Sequence, residues 1–236
     1  MKLSKIIKSI IVCVTLISIC ELKTFAFSNY QEEVNLDNMI TAIKNYQYRE
    51  TKYQVELLEV LDQAKKEMIP VAPLLNKIKE GLSKDIGLKD IIDVVRKNKD
   101  NLKLAQSLLD EFENRGLKKG KEANWKESAV VSLAEFFMRG LTEGTVRKLS
   151  NNVISKRADG PRFLLLSGMF VDLKEKEIRE DMIWAMVKVV LEQNLKDSDT
   201  KALVNNIYNK IDSGENVESF VRQLEKGKPA RALIRK

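Results

Sequence analysis

Few residues in this chain can carry chemistry. It has no histidine and only two cysteines, Cys13 and Cys20, both in the amino-terminal apolar segment. The remainder therefore lacks the usual general base near neutral pH, the commonest metal ligands and thiolate nucleophiles. A serine nucleophile would need lysine as its base. Ser4-Lys5, Ser83-Lys84 and Ser155-Lys156 are adjacent pairs, and neighbouring side chains on a helix point apart. There is no Gly-x-Ser-x-Gly elbow and no phosphate-binding glycine loop.

Carboxylate chemistry, as in cleavage of cell-wall glycan, survives in principle. Glu127-Ser128 has the acid-then-hydroxyl order of a glycan-cleaving site, yet Ala129-Val130-Val131-Ser132-Leu133 stands where a glycine-rich continuation would belong. Glu56, Glu59, Asp62 and Glu67 fit solvated helix faces. Asp197-Ser198-Asp199 begins like a calcium loop, but no glycine and distal glutamate follow at loop spacing, so a helix cap is expected. No catalytic, cofactor-binding or metal-ligating residue is assigned, and no cofactor is expected.

Charge is the next signal. The chain is +7 overall. Residues 1–28 hold four lysines and one acid, and residues 226–236 hold five cations and no acid, which leaves residues 29–225 near −1. Lys226, Lys228, Arg231, Arg235 and Lys236 thus form a basic tail, a candidate contact for an anionic membrane surface. A nucleic-acid partner is not expected, because that calls for a broad basic face. Pro229, Ala230, Arg231, Ala232, Leu233 and Ile234 fit a short helix in this tail.

The amino-terminus reads as an export signal. Lys2, Lys5 and Lys8 precede an apolar run from Ser9 to Cys20, too short to span a bilayer comfortably. Ala26-Phe27-Ser28 places small residues for cleavage before Asn29; Thr24-Phe25-Ala26 is a second option. An uncleaved anchor is one alternative. A lipid anchor through Cys20 is another, from Leu16-Ile17-Ser18-Ile19-Cys20, although Ile19 departs from the small residue expected before the cysteine. The expected location is periplasmic or secreted.

The elements that would position these residues are helices. With 44% hydrophobic and 32% charged residues the composition is that of a folded domain. Apolar residues recur at three and four: Tyr53, Leu57, Val60, Leu61, Ala64 and Met68; then Ile91, Val95, Leu102, Ala105, Leu108, Leu109 and Phe112; then Val130, Leu133, Ala134, Phe137 and Leu141. A break is expected at Lys97-Asn98-Lys99. Met182 to Leu191 is apolar nearly all round, with Lys188 its only charge, and belongs in the core. It and Phe163-Leu164-Leu165-Leu166 also suit buried strands, but nothing else does. Pro70 and Pro73 open one helix and Pro161 another.

Four of the ten glycines precede leucine: Gly81-Leu82, Gly87-Leu88, Gly116-Leu117 and Gly140-Leu141. Each fits a left-handed helix end followed by an apolar residue folding back. Ser83 and Thr142 are placed to cap the next helix. Ile78 to Ser83 overlays Phe137 to Thr142, and Ile207 to Asp212 is a looser copy. The expected fold is all-α, a multi-helix bundle or a short irregular α-solenoid of helix-turn-helix units. The domain is residues 29–225, with a candidate sub-boundary at 116–124.

Ile69 to Lys84 contains Pro70-x-x-Pro73-Leu74-x-x-Lys77-x-x-Glu80-Gly81. This pattern resembles a segment of exported, all-helical bacterial proteins without a known activity. The resemblance implies helices and an envelope location. Two functions remain open: a binding or scaffolding protein of the bacterial envelope with an unknown protein or envelope partner, or a carboxylate-dependent enzyme on cell-wall glycan. A shallow groove of apolar and amide side chains would favour the first, a deep pocket with two converging carboxylates the second.

Overall fold

Residues at three-to-four spacing become helices with one buried stripe. The computed structural model describes Thr41, Ile43 and residues 51–227 and 229–234. The export signal lies outside them. The described residues of the compact unit from Leu36 to Lys236 form ten helices with defined ends. They are α1 (Thr51–Lys66), α2 (Ala72–Ser83), α3 (Leu88–Asn114), α4 (Trp125–Met138), α5 (Glu143–Ser155), α6 (Gly160–Glu175), α7 (Glu180–Glu192), α8 (Asp197–Asp212), α9 (Val217–Glu225) and α10 (Ala230–Ile234). Among the described residues there is no strand, only an isolated bridge between Lys118 and Asp159. Phe163–Leu166 and 182–191, open to a strand reading, are helical. The fold is all-α.

Most of the expected core is in place: Leu57, Val60, Leu61, Ala64, Ile91, Val95, Leu102, Phe112, Leu133, Ile183 and Met186 are buried, whereas Tyr53 is only half-buried. Val146, Phe163, Phe170, Leu203 and Ile207 are buried as well. Two further expectations fail locally. Lys97-Asn98-Lys99 does not break the chain: α3 is continuous, and Asn98 is buried within it. Met68 is no core residue; it has φ 55° and is 81% exposed in the turn after α1.

Nine helix ends share one device. Met68, Asp85, Gly116, Gly140, Arg157, Glu177, Asn194, Gly214 and Gly227 all take positive φ. After each of the first eight, the next residue's N–H donates to the carbonyl five residues back, as Leu117 does to Phe112, Leu141 to Phe136 and Ile178 to Leu173. That bond satisfies a carbonyl left over at the helix end. Gly116-Leu117 and Gly140-Leu141 are such turns. Gly81-Leu82 and Gly87-Leu88 are not. Gly81 lies inside α2, where an added methyl would sit 2.6 Å from Ile91 Cγ1 of α3, so it serves a close helix approach. Gly87 precedes α3 with φ −58°. Ser83 ends α2 and donates to the Glu80 carbonyl instead of capping the next helix. Thr142 does cap α5, accepting from Thr145 N at 3.2 Å. Asp159 and Asn216 cap α6 and α9 likewise. At α8 the N-cap is Lys196, with no side-chain cap, and Asp197 and Asp199 occupy the first turn.

Helices two apart in the chain lie beside each other in matching register. Lys103 of α3 pairs with Glu67 after α1, at 2.8 Å and 36 residues' separation. Arg147 of α5 grips both oxygens of Glu111 in α3 at 2.7 Å, again 36 residues apart. Arg139 after α4 pairs with Asp172 and Glu175 of α6, 33 and 36 residues on. Arg162 of α6 pairs with Asp197 of α8, and Arg179 at the start of α7 with Glu218 of α9. Across one connection, Lys126 early in α4 reaches back to Asp110 late in α3. Residues 116–124 connect α3 to α4. Within them the Lys118 carbonyl accepts from Gly160 N at 2.7 Å.

Candidate functional site

Phe220, Val221 and Leu224, at spacing one and three, give α9 one apolar stripe, which it buries against α7. Between the two helices and the start of α10 runs an open groove of about 480 Å³. Ala185, Val189 and Leu224 give it apolar walls, Gln193 an amide and Pro229 one end. Lys188, Glu192 and Glu225 line it as exposed charges. The Gln193 amide oxygen accepts from Ala230 N at 2.8 Å, which ties α10 to the end of α7. Sequence reasoning marked Lys188 as the single charge on an apolar helix but did not see it as a groove wall. Glu192 and Glu225 gave no such signal.

The groove can hold an extended apolar-and-amide segment. It is poorly built for glycan cleavage, since a carboxylic acid kept protonated near neutral pH needs an apolar, water-poor setting. Both its carboxylates face solvent. Glu127 is exposed on α4, far along the chain from this groove and not among its lining residues.

The basic tail divides in two. Lys226 is exposed just past α9. Arg231 lies in α10, and its Nε donates to Asp199 Oδ2 of α8 at 2.8 Å. Ala230 is fully buried, so the tail helix is docked on the body. Lys228, Arg235, Lys236 and the side chains of Leu233 and Ile234 lie outside the described residues.

The strongest electrostatic cluster is elsewhere. Arg139 donates to Glu175 through Nε and Nη2 and to Asp172 through Nη2, at 2.6–2.8 Å. The bonds to Glu175, followed by those to Asp172, stabilise the guanidinium and hold Glu175 below the usual carboxylate range. Burial, with a contribution from Asp172, pushes the adjacent Tyr208 hydroxyl up to about 12. These groups join the ends of α4, α6 and α8. Among the described residues no group of three metal-ligating side chains converges. None of their helices is long and apolar enough to cross a membrane.

No family model, no curated protein and no solved structure matches the chain. The Pro70–Gly81 pattern has its own physical account: Pro73 sits in the first turn of α2, Leu74 is buried, Lys77 pairs with Glu80, and Gly81 admits Ile91.

Proposed function

We propose that the protein is a non-enzymatic binding or scaffolding protein of the bacterial envelope, built as an α-solenoid of helix-turn-helix units. The observation that carries this reading is the register of the contacts between helices. Ion pairs and hydrogen bonds link elements 32 to 40 residues apart along the whole described chain. Stacked helical units of this size contact mainly their neighbours and leave an extended surface for a partner. The charged clusters of Arg139 with Asp172 and Glu175, and of Arg147 with Glu111, are engaged between helices. The groove between α7 and α9 is the docking position for an extended segment of a partner protein. The export signal of residues 1–28 supplies the envelope location, and the basic tail adds a salt-sensitive contact with anionic lipid head groups.

The test compares the mature protein with Ala185→Arg, which fills the groove from an incompletely buried position. The binding reading expects a saturable partner from envelope extract, captured by the wild type and lost in the variant. Solubilised fragments released from purified cell-wall glycan, and abolished by Glu192→Gln or Glu225→Gln, would establish the enzymatic alternative. Intact mass settles the leader: a chain beginning near Asn29 is expected, whereas retained Met1 or an acylated Cys20 overturns cleavage there.

A further inference from the structure

The turns of this fold fall into two alternating sets, and their charges differ in kind. One set is residues 139–142, 176–179 and 213–216. Here every cation is engaged within the protein: Arg139 with Asp172 and Glu175, Lys176 over the Tyr208 ring, Arg179 with Asp181 and Glu218. The other set is residues 115–124, 156–159, 193–196 and 226–229. Arg115 and Lys119 are paired here with Glu111 and Glu113, but six further cations, Lys118, Lys121, Lys156, Arg157, Lys196 and Lys226, are all exposed. Among the described residues none of the six makes an ion pair.

These four turns form one continuous edge. The Lys118 carbonyl accepts from Gly160 N at 2.7 Å, which joins the first turn to the second. Arg162, just past the second, donates to the Leu195 carbonyl in the third. Gln193 in the third accepts from Ala230 N, just past the fourth. Four of the six cations, Lys118, Lys121, Lys156 and Arg157, stand on the first two turns, which the Lys118–Asp159 bridge holds side by side. Its acids are Glu122, Glu192 and Glu225, which are exposed, and Asp159, which caps α6.

We infer that this edge is a docking surface for an anionic lipid bilayer, with the cations of turns 115–124 and 156–159 as its centre. The inference rests on the envelope reading above and extends the lipid contact from the tail to the body. Five of the six cations are lysines, which act as point charges and suit a diffuse field of phosphates better than one bidentate ligand. They are spread over four turns, and the recess that Lys226 lines is walled by Glu218 and Arg222 of α9 and by none of the other five cations. Nucleic acid is the other polyanion, but its single-stranded form calls for aromatic stacking platforms. Trp125, the one aromatic of this edge's densest part, is only 7% exposed and packs on Gly120 and Gly160. No exposed apolar side chain marks this edge, so binding is electrostatic and releases with salt, screening acting over about 8 Å at physiological strength.

The experiment measures the salt-releasable fraction of the full chain on phosphatidylcholine vesicles with and without about 30% phosphatidylglycerol, at about 50 and 500 mM salt. The edge variant carries Lys118, Lys121, Lys156 and Arg157 all changed to Gln. A control of equal charge carries Lys65, Lys97, Lys174 and Lys201 changed to Gln, and a tail variant carries Lys228, Arg235 and Lys236 changed to Glu. Each Lys or Arg near an anionic surface strengthens partitioning about fivefold, so the fourfold edge variant should lose about 600-fold and the control far less. The double change Lys121→Gln with Arg157→Gln, expected to lose about 25-fold, decides the matter if the fourfold variant shows reduced helix by circular dichroism. Edge-variant binding within threefold of wild type overturns the inference, as does an equal loss in the control. Loss confined to the tail variant keeps the tail contact and removes the edge. Tighter salt-sensitive binding to a single-stranded oligonucleotide than to the vesicles also overturns it.

Discussion

Gly160 and Gly81 leave no room for a side chain beside a neighbouring helix, and neither has positive φ. A methyl on Gly160 would lie 2.6 Å from Trp125 Cη2 and 3.1 Å from the Lys118 carbonyl oxygen. A rigid ring and a backbone atom cannot both yield, so Gly160→Ala should cost about 2–3 kcal/mol, the upper part of the overpacking range. At Gly81 the obstacle is the Ile91 side chain alone. There a similar overpacking cost is offset by about 1 kcal/mol from replacing glycine inside a helix. Gly81→Ala should therefore be the milder change. Urea unfolding of both variants checks the order, and a more stable Gly160→Ala protein would contradict the packing described for the α3–α4 connection. In the sequence Gly81 looks like a turn residue. Only the neighbouring helix reveals that it is there to admit the Ile91 side chain.

At the scale of elements, the recurring helix end explains what was and was not legible. Gly116 and Gly140 announced their turns through the leucine that follows. Met68, Asp85, Arg157, Glu177 and Asn194 adopt the same left-handed conformation without glycine, so the regular alternation of turns stayed hidden in an irregular spacing of Gly-Leu pairs. Left-handed backbone costs an ordinary residue about 1–2 kcal/mol, and glycine little, although glycine loses more freedom on folding. Glu177 is exposed with φ 59°. Glu177→Gly should raise stability by about 0.5–1 kcal/mol, measured as a shift of the urea midpoint at unchanged slope. A lowered midpoint would show that this side chain matters beyond its backbone. Helix existence and the buried stripe were readable because three-to-four spacing reports burial directly. The groove was not, since Lys188, Glu192 and Glu225 meet only through the packing of α7 on α9.

The ion pairs between elements also set a pH dependence. The Lys103 ammonium lowers Glu67, the Arg147 guanidinium lowers Glu111, and the Arg139 guanidinium lowers Glu175. A carboxylate whose folded pKa lies below its unfolded value stabilises the fold above the unfolded pKa and loses that contribution as pH falls through the folded one. The unfolded value is about 4.3, so the melting temperature should hold steady down to about pH 4.5 and fall below it. Tyr208 sets the opposite limit. Its hydroxyl is raised to about 12, so the half-buried neutral phenol favours folding below its unfolded pKa of about 10, and stability declines between the two values. Tyr208→Phe should flatten the alkaline arm and leave the acid arm unchanged. An identical alkaline arm in the variant would assign that decline to other groups.

For the whole molecule, the decisive question is how far a local defect spreads. The extensive helix contacts join elements no more than two apart in the chain: α1 and α2 with α3, α3 with α4, α4 and α5 with α6, α6 with α7 and α8, α7 with α9, and α8 with α9 and α10. A stack of this kind is nearly one-dimensional, and its stability is close to a sum over units and their interfaces. A multi-helix bundle around one shared core would instead unfold as a whole. Met186 separates the two. It is completely buried in α7, and Met186→Asp places a carboxylate among apolar side chains without a partner, a change that costs several kcal/mol. In a solenoid the damage should stay near α7. Amide hydrogen exchange would then show protection lost in α6 to α9, while Leu57, Ile78, Val95 and Leu102 in α1 to α3 keep most of theirs, and circular dichroism would retain part of the helical signal. Equal loss of protection in α1 to α3 would mean that one cooperative core joins all the helices, and the solenoid reading would give way to a bundle.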